Sequence, residues 1–485
     1  MSPRAVWGGL LVAATLAGCA GPAELTRPEP PVPLEARTFS RVRAEAAGRV
    51  LAHRWWRTFG DPALDGFVER VVEGNLDLRR AAARVREARA AAARAGAARL
   101  PTVTGSLGAQ RTRTPGEVRV GDRVNDSYDL TVSLSWEADL WGRVANLEQA
   151  ARLDLEAARD DAERAYHLVV AEAVRAWLDL AAAREKTAVV ERMLEADRQR
   201  LAVVESRYRR GLVPAADVHQ GRQLVEDDRA RLALLRQERE VAAHRLMVLM
   251  GAQSAEYEDS APTLPPPPPP VPAGLPSDLL WRRPDLRAAE RRALAGQARA
   301  AAADADRYPR FALTASGGRS SDVLRDLSLG TNTFWTLIAN LAQPLFDAGS
   351  RKAALAEAEA RAEQARLAWG QAVLAALQEV EDALSVEAAQ RERLAALEES
   401  RRHAERAVET ATLRYRRGLE DLTRTLVARR TLLAAELEKV ETRHQLCSAR
   451  VSLLLSLGGA WGDEDRVAGE PAANPIEAST QRGDP

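Results

Sequence analysis

Between Tyr128 and Trp136 the chain alternates strictly: Tyr128, Leu130, Val132, Leu134 and Trp136 are apolar, and Asp129, Thr131, Ser133 and Ser135 between them are polar. A period of two places the two sets on opposite faces of a β-strand. Residues 102–111 form a partner stretch, and the intervening loop with Pro115, Gly116 and Gly121 suits a solvent-exposed hairpin connection. Two further strand-like stretches, 311–317 and 333–341, flank a loop through Ser320 and Asp322.

The rest of the pattern is helical. Residues 77–100 predict one helix, and residues 142–210 run without proline, enough for a continuous helix of about 100 Å at about 1.5 Å per residue. Within that run Tyr166, Val170, Ala173 and Trp177 have the spacing of a packed helix face. The ordinary reading of such a stripe is a coiled-coil seam rather than a ligand site.

Sliding the sequence against itself exposes a duplication at an offset of about 207 residues. Asp77-Leu78-Arg79 recurs as Asp285-Leu286-Arg287, Pro101 as Pro309, Gly142 as Gly349, and Met250-Gly251 as Leu457-Gly458. Arg207-Tyr208-Arg209-Arg210-Gly211 recurs identically as Arg414-Tyr415-Arg416-Arg417-Gly418, and the packed stripe returns as Val373, Leu377, Val380 and Leu384. Each half therefore reads helix, two strands, very long helix, turn, return helix. The prolines of residues 265–270 separate the halves as a stiff extended linker.

Composition narrows the functions open to such a chain. Basic and acidic residues number 69 each, and arginines interleave with glutamates, so no electrostatic footprint for nucleic acid exists. Cys19 and Cys447 are too few and too far apart for a disulfide framework or a cysteine zinc cluster. The six histidines never pair at i, i+4, and no metal-ligand spacing, nucleotide loop or nucleophile and base constellation appears, so no enzyme and no cofactor are expected. Residues 6–18 behind Arg4 have the size of a signal-peptide core, too short to span a bilayer. That run ends in Leu16-Ala17-Gly18-Cys19, which resembles the lipobox of bacterial lipoproteins; the resemblance implies lipidation of Cys19 and, with Ala20 rather than aspartate following, sorting to the outer membrane.

No later run reaches about 18 apolar residues, so any membrane crossing is by strands. Four strands cannot close a barrel, because small membrane barrels need about eight and open edges are not tolerated in lipid. The chain must assemble: two copies would give eight strands and a filled interior, three would give twelve and room for a pore.

His53, Trp55-Trp56, Phe59, Asp61-Pro62-Ala63-Leu64 and Asn75 resemble the opening of the TolC-like outer-membrane efflux proteins. Gly274-Leu275-Pro276-Ser277-Asp278-Leu279-Leu280 with Arg282-Arg283-Pro284-Asp285 resembles the signature of their NodT-type lipoprotein branch. The resemblance implies a mostly α chain with a small β part: a homotrimer in which four strands per chain build a 12-stranded outer-membrane barrel continuous with a periplasmic α-helical barrel. It also implies two partners, a periplasmic adaptor protein and an inner-membrane pump of the resistance-nodulation-division type. The expected organisation is a signal peptide (1–18), a lipidated extended segment (19–50), a first efflux repeat (51–251), a proline-rich linker (252–276), a second repeat (277–462) and a disordered tail (463–485).

The two pentapeptide turns are the candidate functional region. Glycine just past a long helix is an expected stop, and the arginines suit the helix dipole, so capping alone could account for Arg209, Arg210, Arg416 and Arg417. By resemblance these turns are instead the periplasmic tips, where the tunnel narrows and the adaptor docks. Tyr208, Gly211, Asp217, Tyr415, Gly418, Glu420, Asp421 and Arg424 complete the set, with Asp217, Glu420 and Asp421 expected within reach of the arginines. Where relatives carry acidic residues one and two turns past the second glycine, this chain has Arg424 and Val427. The function expected is passive conduction of drugs or other small molecules out of the periplasm. The alternative is a periplasmic adaptor or structural coiled-coil lipoprotein, which would carry its long hairpin once rather than twice.

Overall fold

The computed structural model describes residues 21–26, 54–114, 123–253, 263–266, 282–328 and 330–458. Cys19, the signal segment and most of the proline linker lie outside these. The elements run α1 (Pro62–Gly74), α2 (Leu76–Ala97), β1 (Thr102–Thr114), β2 (Arg123–Ala138), α3 (Arg143–Arg209) and α4 (Ala215–Met250). The second half continues with α5 (Pro284–Ala305), β3 (Arg310–Ser321), β4 (Thr333–Ala342), α6 (Ser350–Arg416) and α7 (Leu422–Ser456). The two long helices, α3 and α6, have 67 residues each, as the duplication requires. The chain divides into two compact units, the first holding the strands with residues 84–97, 143–159, 288–305 and 350–370, the second made of the other helical stretches.

In the first unit the strands form one antiparallel sheet in the order β1-β2-β3-β4. Its register aligns the alternation of β2 with that of its neighbours. Val103, Gly105, Leu107 and Ala109 oppose Leu134, Val132, Leu130 and Tyr128. Across the other edge of β2, Val132, Leu134, Trp136 and Ala138 oppose Gly317, Ala315, Leu313 and Phe311. Those in turn oppose Trp335, Leu337, Ala339 and Leu341. Because directly opposed residues share a face, one face is apolar across all four strands. Its reverse carries Thr104, Ser106, Thr131, Ser133, Thr314 and Ser316. None of the described residues covers the apolar face, and Leu107 and Trp335 are 74% and 76% exposed.

Two features at the sheet's helix-bearing end hold the strand connections. The indole of Trp136 donates to the Arg99 carbonyl at 3.0 Å and that of Trp141 to the Pro309 carbonyl at 2.8 Å. Trp141 also stacks on Tyr308, ring centroids 5.1 Å apart. The helical stretches of this unit meet through small residues: Ala150, Ala295 and Ala298 are buried together, and a Cβ on Gly296 would stand 3.0 Å from the Ala362 Cα.

In the second unit the stripe Tyr166, Val170, Ala173, Trp177 is buried throughout, and Phe67 stacks on Trp177 at 5.3 Å. The opening motif explains itself here. Asp61 caps α1 through the Ala63 and Leu64 amides and also accepts from the Trp177 indole at 2.9 Å. Asn75 starts α2 by accepting from the Asp77 and Leu78 amides, while its own amide donates to the Leu249 carbonyl at 2.9 Å. No helix among the described residues is long and apolar enough to cross a membrane.

Candidate functional site

The second unit ends in two near-identical turns. At the first, the Gly211 amide donates to the Tyr208 carbonyl at 2.8 Å and the Leu212 amide to the Arg207 carbonyl at 3.0 Å. At the second, Gly418 donates to Tyr415 at 3.0 Å and Leu419 to Arg414 at 2.9 Å. Both are Schellman motifs, which need a left-handed residue, and the glycines supply it at φ +68° and +74°. The returns differ: α4 starts at Pro214 without a side-chain cap, whereas Asp421 caps α7 by accepting from the Arg424 amide at 3.3 Å.

Beneath the turns Val204, Val218 and Leu422 form a buried apolar plug, with Val213 and Tyr415 packed against it. Val218 and Leu422 begin the two return helices, so the plug ties both turns into one structure. The Arg207 guanidinium lies over the Tyr415 ring, 5.5 Å from its centroid. Asp217 and Asp421 face one another closely enough that burial, and then the Asp421 charge, hold the Asp217 carboxyl above the usual carboxylate range.

The charges pair differently from the expectation. Glu420 is taken by Arg414 at 3.1 Å and by Arg424 at 4.0 Å, while Asp217 and Asp421 oppose each other. Arg209, Arg210, Arg416 and Arg417 are all exposed and make no ion pair among the described residues. Arg414 stands two residues inside the end of α6, within reach of the loop carboxylate, whereas Arg209 and Arg416 are the last residues of their helices and Arg210 and Arg417 follow them. Tyr208 is 47% exposed, Gly211 and Gly418 at the apex are exposed too, and Val427, one turn into α7, is 59% exposed.

Several charged groups to which the sequence assigned no role are buried further along the helices. Arg283 is 2% exposed and holds Asp285 at 2.7 Å, Glu379 at 2.7 Å and the Ser456 carbonyl at 3.1 Å. Burial resists the Arg283 charge, yet these acceptors overcome it and leave its pKa raised. Arg450 pairs with buried Glu387, and Arg429 with buried Asp197. His444 lies 2.8 Å from Asp179 and 4.0 Å from Glu441; burial alone would lower its pKa, but the two carboxylates raise it to about 9. Met193, Leu224, Leu234 and Leu433 line a groove of about 550 Å³ into which Asp228, 3% exposed, presents an oxygen without a partner. Among the described residues no group of His, Cys, Asp or Glu could hold a metal ion.

The sequence profile of the family described as outer membrane efflux protein matches residues 68–252 and 275–459. Outer membrane protein OprJ of Pseudomonas aeruginosa is 31% identical over 463 residues, spanning 94% of this chain and 96% of that protein. The pyoverdine export outer membrane protein OpmQ of the same species is 32% identical over 453 residues, spanning 89% and 93%. Among solved structures, the outer-membrane channel OprN superposes with a TM-score of 0.84 at 30% identity, covering 91% of this chain and 99% of that one. The open state of the Neisseria gonorrhoeae MtrE outer membrane channel gives 0.81 at 26% identity, covering 91% and 98%.

Proposed function

Because the chain belongs to the outer membrane efflux protein family, we propose that three copies close a 12-stranded pore, joined below to a helical tunnel, through which small molecules leave the periplasm. It is an outer-membrane channel and not an enzyme. The observation that carries the reading is the sheet. One face is apolar across four strands while the other is polar apart from Phe334 and Ile338 of β4, and among the described residues β1 and β4 have no partner along their outer edges. An open edge is not tolerated in hydrocarbon, so β4 of one copy must pair with β1 of the next. Twelve strands then leave a polar lumen, whereas eight would fill it with side chains.

The same reading makes the two turns the periplasmic mouth, where closure occurs and a periplasmic adaptor docks, with an inner-membrane resistance-nodulation-division pump supplying the driving force. Cys19 anchors the mature N-terminus through lipid in support of the barrel. A wide aqueous duct selects weakly, so the pump chooses the cargo.

Cysteines scanned in pairs along β1 and β4 test the assembly, with Cys447 buried away from the reaction. The expected outcome is oxidative crosslinking between copies that ends at three chains on denaturing gels. A ladder ending at two, or no crosslink at any register, contradicts the closed trimer.

A further inference from the structure

We propose that the groove lined by α3, α4 and α7 binds an amphiphilic amine, with its ammonium on Asp228, an adjoining hydroxyl or carbonyl oxygen on Arg429, and its apolar body against Met193, Leu224, Leu234 and Leu433. Such a site stands or falls independently of whether the chain conducts.

Two polar atoms of the groove are left over once its other charges have paired. Asp197 accepts from Arg429 and lies 3.5 Å from Arg200, and Asp227 is held by Arg430 at 2.8 Å. Asp228, 3% exposed, makes no hydrogen bond or ion pair among the described residues, and its Oδ2 is buried. Arg231, exposed three positions further along α4, acts on Asp228 through its charge without forming an ion pair with it. Arg429, 9% exposed, uses Nη1 on Asp197, while its buried Nε donates to nothing. A buried acceptor and a buried donor without partners are each costly, and both belong to residues lining this one groove. Burial holds the Asp228 carboxyl above the usual carboxylate range, against the pull of Arg231 and Arg430, so a cation brought to Oδ2 restores what burial removed.

The duplication shows that packing does not require this acid. The repeat offset holds at both ends of α4, from Gly211 and Gly418 to Gly251 and Gly458, and it matches Asp228 with Ala435. Ala435 is itself buried, so the same place in the second return helix is filled by a methyl group. The carboxylate belongs to the first repeat alone.

The lining specifies the class of ligand. A volume of about 550 Å³ suits a small organic molecule. Apolar contact extends from buried Leu224 and Leu433 to Leu234, which is 62% exposed at the rim. A metal ion would find one uncommitted carboxylate beside a guanidinium, too few oxygens to hold it. An anion would meet Asp228. An ammonium instead gains a charge-assisted hydrogen bond there, and a neighbouring oxygen satisfies the Arg429 Nε.

The test is equilibrium binding of propranolol to the full-chain oligomer in nanodiscs of zwitterionic lipid, with empty nanodiscs subtracted. Comparison ligands are its neutral N-acetyl derivative and the analogue lacking the hydroxyl. The expected result is one propranolol per chain, bound at least about tenfold tighter than the N-acetyl derivative and about threefold tighter than the deoxy analogue. Asp228→Asn removes the preference for the amine. Glu226→Gln, which deletes an equal charge on α4 outside the groove, leaves it intact. Asp228→Ala, copying the second repeat, keeps the Tm of the wild type or raises it. Equal binding of propranolol and its N-acetyl derivative, or an amine preference that survives Asp228→Asn, overturns the proposal. Equal losses in Asp228→Asn and Glu226→Gln overturn it in favour of diffuse surface charge, and a lowered Tm in Asp228→Ala in favour of a packing role for the carboxylate. A deoxy analogue that binds as tightly as propranolol overturns the part given to Arg429. Absence of saturable binding above the lipid background means that water alone serves Asp228 and Arg429, and the site is refuted.

Discussion

Val132 stands at the centre of the apolar face, four residues from Tyr128 toward one end of β2 and four from Trp136 toward the other. At about 3.4 Å per residue that is about 14 Å along the strand in each direction, or about 10 Å along the membrane normal for strands tilted by about 40°. Tyr128 and Trp136 then sit near the two borders of an apolar band about 25 Å tall, and Val132 sits at its midplane. Arginine there costs about 2 to 4 kcal/mol per chain. The lower half of that range is expected, because both cross-strand neighbours, Gly105 and Gly317, are glycines that leave the long side chain free to bend toward an interface. Thr131 opposes Ser106 and Gly318 on the polar face, so Thr131→Arg faces water and costs about 0 to 1 kcal/mol. Urea unfolding of the reconstituted oligomer reads both values, and the amount of folded protein recovered from outer membranes reads their consequence in cells. Equal penalties for the two substitutions, or a larger one for Thr131→Arg, refute the assignment of the apolar face to lipid.

Replacing Arg283 by methionine removes a buried cation from Asp285 and Glu379 and should cost about 3 kcal/mol in urea unfolding, short of the upper end for buried pairs because Glu379 is half exposed; a neutral effect would show that the cluster adds no stability. His444 has a folded pKa of about 9, above its unfolded value of 6.5, so its contribution is complete below pH 6.5 and is lost as pH rises through 9. The wild type should therefore lose about 2 to 3 kcal/mol more than His444→Gln between pH 6.5 and 9.5, and parallel pH profiles of thermal unfolding would argue against that pairing. Gly211→Ala and Gly418→Ala meet no atom within 4 Å, so each should cost only the left-handed backbone penalty of about 1 to 2 kcal/mol, read as a lowered Tm; unchanged Tm values would mean that the turns relax without loss.

The parts of this fold that the sequence revealed are those governed by a short period. The alternation in β2 stands out because every second residue from Tyr128 to Trp136 is apolar. The ends of β1 and β3 escaped: residues 112–114 and 318–321 carry no apolar period and are strands because β2 offers them a ladder to pair with. In β4, Phe334 and Ile338 fall on the polar face, which blurs its alternation although its register is plain in the structure. The two turns were legible through their repeated pentapeptide and its glycines. Their electrostatics were not, since Glu420 had several arginines within a few residues and only the fold selects Arg414 and Arg424. The buried charges were hidden for a different reason. Arg429 and Asp197 are 232 positions apart, and His444 and Asp179 are 265 apart, so in one dimension each looks like another solvated charge on an alanine-rich helix.

Single-channel recording in planar lipid bilayers, on protein whose native mass has been measured in the same preparation, tests the central claim most directly. The account predicts a native mass of three chains and discrete, long-lived conductance steps, because twelve strands with a polar inner face enclose water. Silent bilayers from protein of the correct mass, or conductance from an assembly of any other number of chains, would contradict it.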